Sequence, residues 1–307
     1  MRQAGGVLIG KTVTTEFATF KGGKTTNPNN PEYTPGGSSS GSAAAVADDM
    51  VPLATGSQTA GSVIRPAAFC GVVGYKPTYG KVSLGGVKSL SPSLDTLGSF
   101  SRTVSDAALC VAAMSGNHQL ATINKINRKP RIATCLTNDG ELASAETITA
   151  IHHAALLAED IFKTQVPAIE LPTLFKDMST LQGRIMWSES ARSFSFEQNN
   201  HSESLSQQLK GLIKMGSAIS YEQYSNDLIV AEKARATIDQ LLTQSWDILI
   251  APSAIGEATK GLTQTGDPIF CRVWTLMGLP CITLPLYTGP NHLPVGIQLV
   301  AARGRDQ

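Results

Sequence analysis

TPGGSSSGSAAAVADDMVPLATGSQTAGSVIRPAAFCGVVGYKPT, residues 34–78, decides how this chain is read. It contains two clusters of glycine and small polar residues, Gly36-Gly37-Ser38-Ser39-Ser40-Gly41-Ser42 and Gly56-Ser57-Gln58-Thr59-Ala60-Gly61-Ser62. A Gly-Ser tract is ordinarily a flexible linker. A linker would not alternate with regular structure, yet an alanine-rich helix pattern over residues 40–49 and an apolar strand pattern over 51–54 separate the clusters. Small residues repeated in this way suit a close approach of backbone to something else. The second cluster follows a strand, and in open α/β sheets ligands bind beyond the carboxyl ends of strands.

Around this stretch, 307 residues with 42% hydrophobic and 16% charged content describe a globular chain with a large core. A net charge of +1 leaves no broad electrostatic footprint for nucleic acid or an anionic membrane. Cys70, Cys110, Cys135, Cys271 and Cys281 are odd in number and lack CxxC spacing, which fits reduced thiols better than a disulfide framework or a zinc site. No apolar run of membrane-spanning length and no signal-peptide pattern occurs, so the expected location is the cytoplasm.

In chain order, residues 1–5 read as the last turn of a helix with Gly5 at its C-cap, and Val7-Leu8-Ile9 as a short buried strand. A loop rich in Asn and Pro, 27–35, leads to the first serine cluster. Helices are predicted over 101–114 and 141–162, and strands over 131–136 and 168–171. Residues 173–244 read as mostly helical with a break near 216–220, a covering layer able to shape a substrate pocket. Strands over 246–251, 281–286 and 295–301 and a helix over 270–279 close the pattern. Strands alternating with helices at both ends predict one α/β domain over 1–307 with a largely parallel or mixed sheet.

No GxGxxG, Walker loop or HExxH occurs, and His118, His152, His153, His201 and His292 lack metal-ligand spacing. What remains is serine chemistry. A serine hydroxyl needs a base within hydrogen-bond reach and backbone N–H groups aimed at the developing oxyanion. The run Gln58-Thr59-Ala60-Gly61-Ser62 at a strand end can expose several successive N–H groups, with Ser62 beside them.

These residues resemble the signature of the amidase signature family, hydrolases built around a Ser–Ser–Lys triad. GGSSSGSAAAVA and GSQTAGSVIRPAAFCGVVGYKPTYG carry the likeness, and GKTVTTEFA, SLDTLGSFSRTVSDAA, TLMGLPCITLP and LPVGIQLV extend it. The resemblance implies a mixed, largely parallel β-sheet covered by helices on both faces, an amidase acting on linear amides through an acyl-serine, and no cofactor. It implies Ser62 as nucleophile and Ser38, 24 positions earlier, as the bridging serine whose preceding peptide is not trans. It implies an oxyanion hole from the N–H groups of Thr59, Ala60, Gly61 and Ser62, and substrate-side roles for Ser39 and Arg65. A structural salt bridge is the other reading of Arg65, and helix capping is the preferred reading of Ser40 and Ser42.

The family's base lysine lies in a segment resembling GxPxxVKD upstream of GKT, and nothing like it occurs here. Lys11 aligns with the GKT lysine, Lys21 and Lys24 sit in a Gly-rich loop, and Lys76 belongs to KPT; none matches the triad base. Both ends look clipped against the family pattern, so weak or absent turnover is expected. The expected partner is a small-molecule amide, with no nucleic acid and no membrane, and a homodimer stays open.

Two other readings compete. Gly37-Ser38-Ser39-Ser40-Gly41 satisfies GxSxG, which would make Ser39 a nucleophile with Asp267 and His292, but no strand runs into it. The second is an inactive fold relative, or an amidotransferase A-type subunit that works by binding. The tRNA-linked subunits tend to carry aspartate where this chain has Gln58, which favours the free amidase.

Overall fold

The computed structural model describes residues 1–123 and 128–307, and among these the chain builds nine α-helices around one seven-stranded sheet. Strand β1 (Leu53–Gln58) follows helix α1 (Ser40–Ala47), and α2 (Ile64–Cys70) connects it to β2 (Val73–Lys76). Then come β3 (Thr96–Ser101), α3 (Val104–Ser115), β4 (Ile132–Thr134) and α4 (Ala145–Phe162). Helices α5 (Met178–Ser193), α6 (Ser195–Asn200), α7 (Gln207–Ser217) and α8 (Tyr221–Gln244) fill the middle of the chain. The last elements are β5 (Ile248–Pro252), α9 (Ile269–Leu276), β6 (Cys281–Thr288) and β7 (Pro294–Val300).

The strand order is β1-β3-β2-β6-β7-β5-β4. The expected mixed α/β sheet is present, but its largely parallel character is corrected: β4 with β5 is parallel and the other five pairings are antiparallel. Two connections explain this. β6 and β7 are joined by a short hairpin loop, which only antiparallel strands permit. β1 and β2 do run parallel across the α2 crossover, but β3 inserts between them and pairs antiparallel with both.

Side chains alternate between two buried faces. Ile250 of β5, with Val295 and Ile297 of β7, packs under α4, whereas Leu249, Ala251 and Val300 turn to the other face. Val73 and Tyr75 of β2 meet α3 on the α4 side. The opposite face receives α2, α9 and the layer α5–α8, whose Ile185, Leu209, Ala234 and Trp274 share one core. Gly74 lets α2 approach: a Cβ there would lie 2.5 Å from the Cβ of Ala67. At the start of β5, Asp247 accepts from Arg128 at 2.7 Å and from the Arg131 N–H at 2.8 Å; these bonds hold its carboxyl well below the usual carboxylate range.

Other expectations need correcting. Val7, Leu8 and Ile9 are 82%, 70% and 74% exposed and belong to no strand, because no neighbouring strand pairs with them among the described residues. Residues 168–171 form no strand either; Ala168 makes an isolated parallel bridge to Thr134. The Gly5 C-cap is present, with φ 82° after a short 3₁₀ turn, Arg2–Ala4. β1 begins later than predicted and runs through Gly56, Ser57 and Gln58, so only residues 59–62 of the second cluster, with Val63, form the turn before α2.

Candidate active site

The polar carboxyl end of β1 feeds the turn 59–63, and α2 leaves it at Ile64. Gln58 ties the two together: its Oε1 accepts from Val63 N at 2.9 Å and Ile64 N at 3.0 Å, satisfying donors that a helix start leaves open. Its Nε2 donates to Thr275 Oγ1 of α9 at 2.9 Å, and that hydroxyl donates to Ala60 O at 2.7 Å. Gln182 of α5 donates to Thr59 O at 2.9 Å, and Arg65 N donates to Gly61 O at 2.9 Å. Thr59 Oγ1 donates to Asp95 Oδ1 at 2.5 Å, and the other Asp95 oxygen collects Ser89 Oγ and the N–H groups of Leu90 and Ser91.

Three consecutive carbonyls of the turn are therefore engaged. Its N–H groups are not: those of Thr59, Ala60, Gly61 and Ser62 meet no acceptor among the described residues. Thr59 and Ala60 are only 6% and 3% exposed, so water does not freely supply the missing acceptor. More than nine in ten buried backbone groups are paired, so four successive donors without an acceptor are an unusual feature of this turn. The Ser62 side chain is half-buried at the end of this row.

The first cluster packs against the end of β1 and the start of α2: Ser39 lies against Ser57, and a Cβ on Gly36 would lie 2.8 Å from Pro66 Cα. The Gly37–Ser38 peptide is cis. Its backbone is held from both sides. Arg65 Nη2 donates to Gly37 O at 2.7 Å, while Thr14 Oγ1 and Thr15 N donate to Ser38 O at 3.0 and 3.1 Å. Ser38 is 2% exposed, and its hydroxyl has no partner among the described residues.

Arg65 forms no salt bridge among the described residues. Its Nε donates to Thr265 O at 2.7 Å, and burial pushes its pKa down to about 10. Its Nη1 is buried without a partner and would lie 3.2 Å from a Cβ on Gly61, so one guanidinium donor is left over beside the turn. Ser39 Oγ faces the Ser57 backbone, 3.4 Å from both its N and its O. The capping reading of Ser40 and Ser42 is corrected: they donate to Gly36 O at 2.7 Å and Thr55 O at 2.8 Å, stitching the cluster to its neighbours.

The competing groups are placed elsewhere. His292 is exposed on the β6–β7 loop and Ser39 is committed to Ser57, so no Ser-His pair forms there. Lys11, Lys21 and Lys24 are exposed; Lys76 is fully buried in β2, bonded to Pro77 O and Leu279 O. No lysine bonds the hydroxyl of Ser38 or Ser62 among the described residues. Cys271, packed beside Gly61, has its thiol pushed up to about 12 by burial, so it is inert as a nucleophile at neutral pH. The supporting residues Asp95, Gln182 and Thr275 were not singled out from sequence; Asp95 and Thr275 fall in the recurrent segments SLDTLG and TLMGLP, whereas Gln182 carried no signal.

Comparison with known proteins identifies the family. The Amidase family profile matches residues 1–307. The A subunit of glutamyl-tRNA(Gln) amidotransferase from Thermosynechococcus vestitus is 33% identical, over 98% of this chain and 72% of that protein. The crystal structure of an amidase superposes with a TM-score of 0.88 at 28% identity, covering 99% of this chain and 73% of the other. Peptide amidase of Stenotrophomonas maltophilia gives a TM-score of 0.77 at 27% identity, with 99% and 72% covered. The chain belongs to the Amidase family, hydrolases that act on carbon–nitrogen bonds.

Proposed function

We propose that the chain cleaves linear amides through an acyl-serine formed at Ser62. The observation that carries the proposal is the row of four unpaired N–H groups at residues 59–62, beside a half-buried serine. Ser62 Oγ attacks the carbonyl carbon, and the new oxyanion rests on these donors, which are already aimed and need no reorganisation. Ser38 relays the proton: its oxygen accepts the Ser62 proton while its own hydroxyl proton passes to the leaving nitrogen as the C–N bond breaks. Water then attacks the acyl-serine by the reverse route and releases the acid. No cofactor enters this scheme.

Arg65 Nη1 provides a leftover donor for a polar group of the substrate, with Ser39 bracing the site wall, and the layer over 173–244 shapes the pocket. Turnover by these 307 residues is weak in this reading, because no lysine among the described residues bonds the Ser38 hydroxyl; oxyanion stabilisation alone leaves only residual catalysis. The five cysteines are free and buried, which fits a reducing compartment such as the cytoplasm. No helix among the described residues is long and apolar enough to cross a membrane.

Incubation with a panel of primary amides and hydroxylamine tests the mechanism, since hydroxylamine captures an acyl-serine as the hydroxamate. Ammonia equal to the sum of hydroxamate and free acid is expected, with all three lost in Ser62→Ala. Ammonia release that persists in Ser62→Ala would refute the mechanism. The amidotransferase relatives favour a second reading, an A-type subunit working in a larger assembly, and a homodimer remains a candidate arrangement. Light scattering of the purified chain, alone and with candidate partner chains, separates these.

A further inference from the structure

We infer that Gln182 of α5 is a positioning residue for the oxyanion turn, locked in one orientation by Arg272 of α9. The inference rests on the reading above that residues 59–62 receive the oxyanion. Gln182 is fully buried, its Nε2 is 2.9 Å from Thr59 O, and its Oε1 is 3.0 Å from Arg272 Nη1. A guanidinium only donates, so it fixes which end of the amide faces it. The Oε1 must meet Arg272, and the Nε2 must therefore meet Thr59 O. No flipped amide satisfies both neighbours.

The consequence reaches the N–H row through one peptide plane. Thr59 C=O and Ala60 N–H belong to the same planar unit and point in opposite directions. A carbonyl held on α5 aims the Ala60 N–H away from α5. Thr275 Oγ1 does the same for the next peptide by holding Ala60 O, which aims the Gly61 N–H. The Asp95 contact fixes the Thr59 side chain but leaves the rotation of this peptide free, so Gln182 supplies what Asp95 does not. Arg272 has no carboxylate within salt-bridge distance among the described residues, and burial lowers its pKa, so the Gln182 contact is its polar anchor in this layer.

The test compares the intact chain with Gln182→Met, which keeps the volume and removes the donor, and Gln182→Glu, which keeps the acceptor for Arg272. The readout is the rate at which a fluorophosphonate modifies Ser62, forming the Oγ–P bond while the P–F bond breaks, fluoride leaves and the hydroxyl proton goes to solvent. Gln182→Met is expected to slow modification about tenfold to a hundredfold, the scale of a misaimed oxyanion donor. In Gln182→Glu a protonated carboxyl can again donate to Thr59 O. The ratio of its rate to that of the unsubstituted chain should rise as pH falls, while the Gln182→Met ratio stays flat. A merely structural role would not give that split. Modification of Gln182→Met at the unsubstituted rate, or two ratios that run parallel at every pH, would overturn the inference and leave the proposed function standing. If the folded, unsubstituted chain is not modified at Ser62, the proposed function falls instead. Nitrogen-15 alanine labelling then decides the contact: a displaced Ala60 amide signal in Gln182→Met supports it, and an unmoved one overturns it.

Discussion

Two short segments leave their backbone N–H groups unused, and they could hardly differ more. Residues 59–62 are largely buried, their neighbouring carbonyls are engaged by Gln182, Thr275 and the first turn of α2, and their donors have no acceptor among the described residues. Residues 7–11 also donate to nothing among the described residues, but they lie open to water, which accepts in their place. An unspent donor has consequences only where water is kept out and the peptide cannot turn away. The first segment meets both conditions, the second neither.

The largest break in this comparison is Ser62→Ala, expected to remove fluorophosphonate modification altogether; a residual signal at full rate would place the nucleophile elsewhere. Next is Gly61→Ala. Its Cβ would lie 2.8 Å from the Cβ of Pro268 and 3.2 Å from Arg65 Nη1, so the turn must shift. Modification should fall about a hundredfold, the scale of a lost oxyanion donor. Thr59→Val removes the hydroxyl donated to Asp95 and should cost about 1–3 kcal/mol in urea unfolding, with a smaller loss of reactivity. The smallest effect belongs to the open segment. Serine at positions 7, 8 and 9 together should leave modification unchanged and stability within about 0.5 kcal/mol per substitution. A large loss there would show that the strip packs against something, and the contrast would fail.

The sequence revealed most where local pattern and chemistry coincide. The alanine run gave α1, the helical pattern over 141–162 gave α4, and residues 173–244 read as helical with a break near 216–220, which falls between α7 and α8. Strand direction was not legible, because β3 enters between β1 and β2 through pairings distant in sequence. An apolar triplet alone cannot tell a buried strand from an exposed strip either, as Val7-Leu8-Ile9 shows, since burial depends on a partner strand. The supports of the site were hidden for the same reason. Gln182 lies 123 residues from Thr59 and sits in a helical region with no motif of its own. A glutamine in a helix reads as surface until the fold brings a backbone carbonyl to it.

The central claim is that the N–H groups of residues 59–62 are the receptors for an oxyanion formed at Ser62. The most direct measurement is the proton–nitrogen amide spectrum of the chain before and after fluorophosphonate modification, with the modified residue mapped by mass. The account predicts modification at Ser62 and downfield movement of the amide protons of residues 59–62 as they donate to the phosphoryl oxygen. Modification at another serine, or at Ser62 with those four amide protons unmoved, would contradict it.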